Sequence, residues 1–112
     1  MKKTRTITRE QIKENLDSNT AMIIGEALPK KYFDSEHLPG AVNIPHDEIQ
    51  QKAPEILTDI TALIVVYCAS TECQNSKIAT DILQQMGYSN VFEYVEGKNH
   101  WLEAGLLIES TE

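Results

Sequence analysis

The chain of 112 residues has little cysteine and few aromatics: two cysteines, 6% aromatic side chains and one tryptophan. Two thiols at Cys68 and Cys73, five positions apart, cannot build a disulfide framework, and a bridge between them would staple only a tiny loop. Free thiols in a reducing compartment are the expectation. Long apolar runs are also missing, since none approaches the roughly 20 residues a bilayer requires. The basic start Met1-Lys2-Lys3-Thr4-Arg5 meets no apolar stretch before Thr8-Arg9-Glu10, which argues against a signal peptide and for a cytoplasmic location. Positive charge is scarce, with 10 basic against 17 acidic side chains and a formal net charge of −7. Such a balance repels phosphate backbones and anionic lipid surfaces within a Debye length, so neither nucleic acid nor membrane is an expected partner.

What is present is an ordinary globular composition, 41% apolar and 24% charged, with no repeat, linker or low-complexity tract. One domain over residues 1–112 is expected. Thr8-Arg9-Glu10-Gln11 has the form of a capping box opening a helix over roughly Arg9 to Leu16. Ala21-Met22-Ile23-Ile24 reads as a buried strand, and Pro29 opens a helical turn at Lys30-Lys31-Tyr32-Phe33. Pro39-Gly40 is a turn signal before a short strand Ala41-Val42-Asn43-Ile44, stopped by Pro45. His46 to Leu57 reads as irregular to helical, interrupted near Pro54.

The strongest strand is Ala62 to Cys68, β-branched and uncharged, and therefore expected at the centre of a sheet. From Ser76 the period becomes helical, with Ile78, Ala79, Ile82, Leu83 and Met86 on one face and Gly87 as the stop. Asn90 to Val95 is a further strand, and Gly97 to Ala104 a last helix carrying Trp101 and closed by Gly105. Strands alternating with helices over short connections imply βαβ units and a mainly parallel sheet, an α/β fold.

In such sheets ligands bind beyond the carboxyl ends of the strands, and Cys68 stands at that edge. The loop Ala69-Ser70-Thr71-Glu72-Cys73-Gln74-Asn75-Ser76 then runs into a helix N-terminus. Backbone amides of such a loop, with the positive helix end, would stabilise a thiolate and lower the Cys68 pKa. The plainer reading is that a cysteine ending a buried strand is an inert small hydrophobe. Cys73 has two readings as well, a packing residue or a resolving thiol. His37, His46 and His100 show no ligand spacing with either cysteine, so no metal site is expected. Each reads as a surface or hydrogen-bonded histidine, and Trp101 as core.

Three stretches resemble the rhodanese family in order along the chain. Glu36 to Pro45, "EHLPGAVNIP", is similar to the family's Gly-His-Ile-Pro-Gly-Ala-x-Asn-Ile-Pro signature, with Phe33 four residues before His37. Val65 to Cys68, "VVYC", resembles the strand that delivers the family's cysteine. Gly87 to Leu106 resembles the closing Gly-Tyr-x-x-Val, Gly-x-x-x-Trp and Ala-Gly-Leu run. The resemblance implies a rhodanese-like α/β fold with about five strands and helices on both faces. It also implies sulfur transfer: a donor such as thiosulfate, polysulfide or a persulfidated protein loads sulfane sulfur onto Cys68, and a thiol acceptor removes it. No cofactor is implied. Carried over by position, Cys68 is the nucleophile, and the amides of residues 69–76 cradle the persulfide.

Two departures bear on the substrate. Where the family has Asp-x-Arg after the second strand, this chain has Glu26-Ala27-Leu28, without the arginine. The loop after Cys68 is longer by about two residues than the family's common form and carries Glu72 in place of a basic residue. A carboxylate there opposes a dianion by Coulomb terms of about 1 kcal/mol when solvated, which favours a neutral or protein-borne persulfide over thiosulfate. Three readings therefore compete: a sulfurtransferase through Cys68, a Cys68/Cys73 dithiol redox protein, and a catalytically weak regulatory or interaction module. A cysteine phosphatase is set aside, because the phosphate-clamping arginine position holds Gln74.

Overall fold

The computed structural model describes residues 5–111. Five strands lie in one sheet: β1 (Arg5–Thr6), β2 (Ile23–Glu26), β3 (Val42–Asn43), β4 (Ile64–Tyr67) and β5 (Val91–Tyr94). Their order across the sheet is β1-β5-β4-β2-β3, and every neighbouring pair is parallel. The helices are α1 (Arg9–Asp17), α2 (Lys30–Ser35), α3 (Ile49–Ile56), α4 (Asn75–Gln85) and α5 (Gly97–Glu103), with a 3-10 turn at His46–Glu48. The expected α/β fold with a central parallel sheet is thus the observed one.

Strand β4 is buried at all four positions because the sheet is covered on both faces, which is why its sequence shows no polar alternation. Its side chains still alternate. Ile64 and Val66 join Ala53 and Leu57 from the α3 region and Ala79 and Leu83 of α4 in one apolar layer. Val65 and Tyr67 join Ile12 of α1, Tyr94 of β5 and Trp101 of α5 in the other. Cys68, next along the chain, continues on the side of α4.

Helix α1 begins as the capping box requires: Thr8 Oγ1 accepts from the Gln11 amide at 3.1 Å, and Gln11 Oε1 accepts from the Thr8 amide at 2.9 Å. Three expectations need correction, and one strand was not expected. The second strand runs from Ile23 to Glu26, two residues beyond the apolar run, because the charged Glu26 is buried by partners distant in sequence. Helix α3 continues through Pro54; the Leu57 amide donates to the Ala53 carbonyl at 2.7 Å and keeps its last turn closed. The inward face of α4 is Ser76, Ala79, Thr80 and Leu83, leaving Ile78 exposed, since the first turn directs Ser76 towards Cys68. Strand β1, two residues long, has no periodicity to read; it is held by pairing of Arg5 with Phe92 and Thr6 with Glu93.

Candidate functional site

The carboxyl end of β4 delivers Cys68 to the middle of the sheet edge, between β5 and β2. The chain then turns at once. The Cys68 and Ala69 carbonyls are held by the Lys98 and Asn99 amides of α5 at 2.8 and 2.9 Å. This contact requires Gly97: its φ is +75°, and a Cβ there would lie 2.6 Å from the Cys68 carbonyl oxygen. The same Cβ would lie 2.8 Å from the Ser70 nitrogen, so no side chain fits. The loop folds on itself through Ser70, whose carbonyl accepts from the Cys73 amide at 3.1 Å and whose Oγ accepts from the Glu72 amide at 3.4 Å.

Under this loop the Cys68 side chain is 1% exposed. Its thiol reaches two acceptors at 3.4 Å, the Cys73 carbonyl oxygen and Ser76 Oγ. The Ser76 hydroxyl in turn donates to Glu93 Oε2 at 2.7 Å. Ser76 and Glu93 are themselves buried. A thiol, a hydroxyl and a carboxyl from β4, α4 and β5 therefore form one continuous chain of hydrogen bonds.

The electrostatics correct the expectation of a depressed Cys68 pKa. Burial pushes the thiol up, and hydrogen bonding with the Cys73 side chain adds to this, while the Ser76 hydroxyl and amide pull the other way. Burial is the larger effect; the Cys73 carbonyl also faces the sulfur, the Glu72 and Cys73 amides are taken by Ser70, and the Ser76 amide is the one that pulls towards the thiolate. Of the loop residues singled out from sequence, Cys73 and Ser76 meet the sulfur. Ala69 and Ser70 build the turn, Asn75 Nδ2 donates to the Ala27 carbonyl at 3.5 Å, and Thr71, Glu72 and Gln74 are exposed. Cys73 is half-buried, and both cysteines are free thiols.

On the opposite face of the sheet edge lies a polar cluster that sequence reasoning missed. Glu26 Oε1 accepts from the Tyr67 hydroxyl at 2.7 Å and from Lys98 Nζ at 3.1 Å. Lys98 also donates to the Tyr32 and Glu36 carbonyls at 3.0 and 2.6 Å, and it is 8% exposed while Glu26 is wholly buried. Burial raises the Glu26 pKa, against the lowering by the Tyr67 hydrogen bond and the Lys98 charge. Burial and the Glu26 carboxylate together push the Tyr67 phenol up. The one available signal for Glu93 was a carboxylate two positions after Val91, on the inward face of a strand. The sequence singles out Glu26 only as the acidic residue of Glu26-Ala27-Leu28, and Lys98 offers no comparable pattern.

The histidines are structural in their contacts. His37 stacks on Phe33, ring centroids 3.9 Å apart, and its Nδ1 bonds the Phe33 carbonyl at 2.7 Å. His100 Nδ1 pairs with the Tyr94 hydroxyl at 2.8 Å, and Trp101 Nε1 donates to the Leu107 carbonyl at 2.8 Å from within the core. His46 follows β3 at the same edge as Cys68, with its Nδ1 buried and without a hydrogen-bond partner. Among the described residues no helix is long and apolar enough to cross a membrane.

Comparison with known proteins agrees with this architecture. The chain is 24% identical over 95 residues to the putative sulfur carrier protein YrkF of Bacillus subtilis, covering 85% of this chain and 49% of YrkF. It is 34% identical over 64 residues to the thiosulfate sulfurtransferase PspE of Escherichia coli, covering 57% of this chain and 59% of PspE. The chain thus spans about half the length of these curated relatives. The crystal structure of BH2092 from Bacillus halodurans superposes with a TM-score of 0.88 at 19% identity, over 96% of this chain and 78% of that one. Residues 8–104 match the Rhodanese-like domain, and the chain belongs to that family.

Proposed function

We propose that the protein is a sulfurtransferase that moves sulfane sulfur from a donor to a thiol acceptor through a persulfide on Cys68. The observation that carries the reading is the position of the Cys68 thiol. It sits at the carboxyl edge of the central strand, enclosed by the loop of residues 69–76 and bonded to Ser76. A sulfur nucleophile there attacks the outer sulfur of the donor and holds it covalently, dividing the transfer into two displacements. The names of the relatives, a sulfur carrier and a thiosulfate sulfurtransferase, support the same chemistry. With Glu72 exposed on the loop, a neutral or protein-borne persulfide fits better than thiosulfate.

The test is mass spectrometry of the intact protein after exposure to polysulfide or thiosulfate. Wild type should gain the mass of one sulfur, mapped to Cys68, and Cys68→Ser should gain none. A wild type that stays unmodified under both donors refutes the assignment. A second reading is supported by the contact of Cys73 with the same thiol. If Cys73 attacks the Cys68 persulfide, the products are a Cys68–Cys73 disulfide and hydrosulfide. A non-reducing peptide map distinguishes the two, because a stable persulfide with Cys73 still alkylatable excludes the dithiol.

A further inference from the structure

We propose that Ser76 and Glu93 form a proton relay that takes the Cys68 proton during sulfur loading and returns it to the departing thiol. The inference rests on the reading of Cys68 as the sulfur nucleophile and adds the device that makes a buried thiol reactive. Ser76 Oγ lies 3.4 Å from the sulfur and donates its own hydrogen to Glu93 Oε2 at 2.7 Å. With its hydrogen committed to the carboxylate, the Ser76 oxygen turns a lone pair towards the Cys68 S–H. All three side chains are buried, at 1%, 1% and 7% exposure for Cys68, Ser76 and Glu93.

The chemistry follows from that polarity. Ionising Cys68 to bulk water would place a second negative charge beside Glu93 in a desolvated pocket, which is costly. Moving the proton along the chain keeps the count at one. The S–H proton passes to Ser76 Oγ as the Ser76 proton passes to Glu93, giving Cys68 thiolate and Glu93 carboxylic acid. The thiolate attacks the outer sulfur of a persulfide donor R–S–SH. The new S–S bond forms as the old one breaks, and its electron pair leaves on R–S−. The proton held by Glu93 returns through Ser76 to that thiolate. In sum, Cys68–SH and R–S–SH become Cys68–S–SH and R–SH, with no external oxidant or base.

Other ionisable groups near the relay can be named. The loop contributes Cys73, and α4 contributes Lys77, which pairs with Asp81 at the surface. The 3-10 turn contributes His46 at the same sheet edge. Glu26, Tyr67 and Lys98 bond one another on the opposite face.

The test is the pH profile of Cys68 alkylation by iodoacetamide in the native protein, with persulfide loading measured in parallel. In wild type the thiolate forms by proton transfer within the relay, with no proton lost to water, so the rate should stay flat from about pH 6 to 8. In Glu93→Gln and Ser76→Ala the thiolate must form by loss of a proton to water. Their rates should rise about tenfold per pH unit over that interval, following the thiolate fraction. Ser76→Thr, which keeps the hydroxyl, should restore the flat profile. Thermal melts of each variant exclude unfolding as the cause. A wild type that already rises tenfold per unit, or variants as flat as wild type, overturns the relay. Failure of wild type to load sulfur would instead refute the sulfurtransferase reading, and the alkylation profile would still judge the relay.

Discussion

Replacing Lys98 by methionine isolates the energetics of the cluster on the sheet face opposite the sulfur. The substitution removes four hydrogen bonds, to both Glu26 oxygens at 3.1 and 3.2 Å and to the Tyr32 and Glu36 carbonyls. It leaves Glu26 wholly buried with Tyr67 as its side-chain partner. Breaking a buried pair by removing one member costs about 3–5 kcal/mol, a large share of a small domain's stability of about 5–15 kcal/mol. The loss should depend on pH in a defined direction. Burial already raises the folded Glu26 pKa above its ordinary 4.5, so its contribution favours the fold below that pH and is lost as pH rises through the folded value. Without Lys98 the folded value rises further. The variant should then fall behind wild type by as much as about 1.4 kcal/mol for each pH unit in which it alone holds the proton. Urea unfolding followed by the fluorescence of Trp101, the single tryptophan and 1% exposed, gives the stability difference at pH 5 and 7.5. The double variant Lys98→Met with Glu26→Gln should recover much of the loss at pH 7.5. A Lys98→Met penalty below about 1 kcal/mol, or one equal at both pH values, refutes the reasoning.

Gly97→Ala should destabilise by about 2 kcal/mol or more, because a left-handed backbone and a 2.6 Å approach to the Cys68 carbonyl oxygen coincide. The same change should push the loop outward and speed Cys68 alkylation, which labelling at fixed pH would detect. Glu72→Gln should improve thiosulfate turnover chiefly through a lower KM, with the gain shrinking as salt rises, since Glu72 is exposed. Steady-state kinetics at two ionic strengths measure this, and equal KM values would place Glu72 away from the donor's path. Cys73→Ser should leave sulfur loading on Cys68 intact, as mass spectrometry of the loaded variant would show.

The local features of the chain were legible because their causes are local. The Thr8–Gln11 capping box, the apolar run of β4, the helical period after Ser76 and the stop at Gly87 each depend on residues within one turn or one strand. Together they determined the α/β class, the parallel sheet and the place of Cys68 at its carboxyl edge. The surroundings of the sulfur were decided only by tertiary packing. Whether loop amides or carbonyls face a thiol depends on how the loop is tied down. Here Gly97 and the Lys98 and Asn99 amides of α5 do that from about 30 residues further along the chain, a contact that no local pattern reveals.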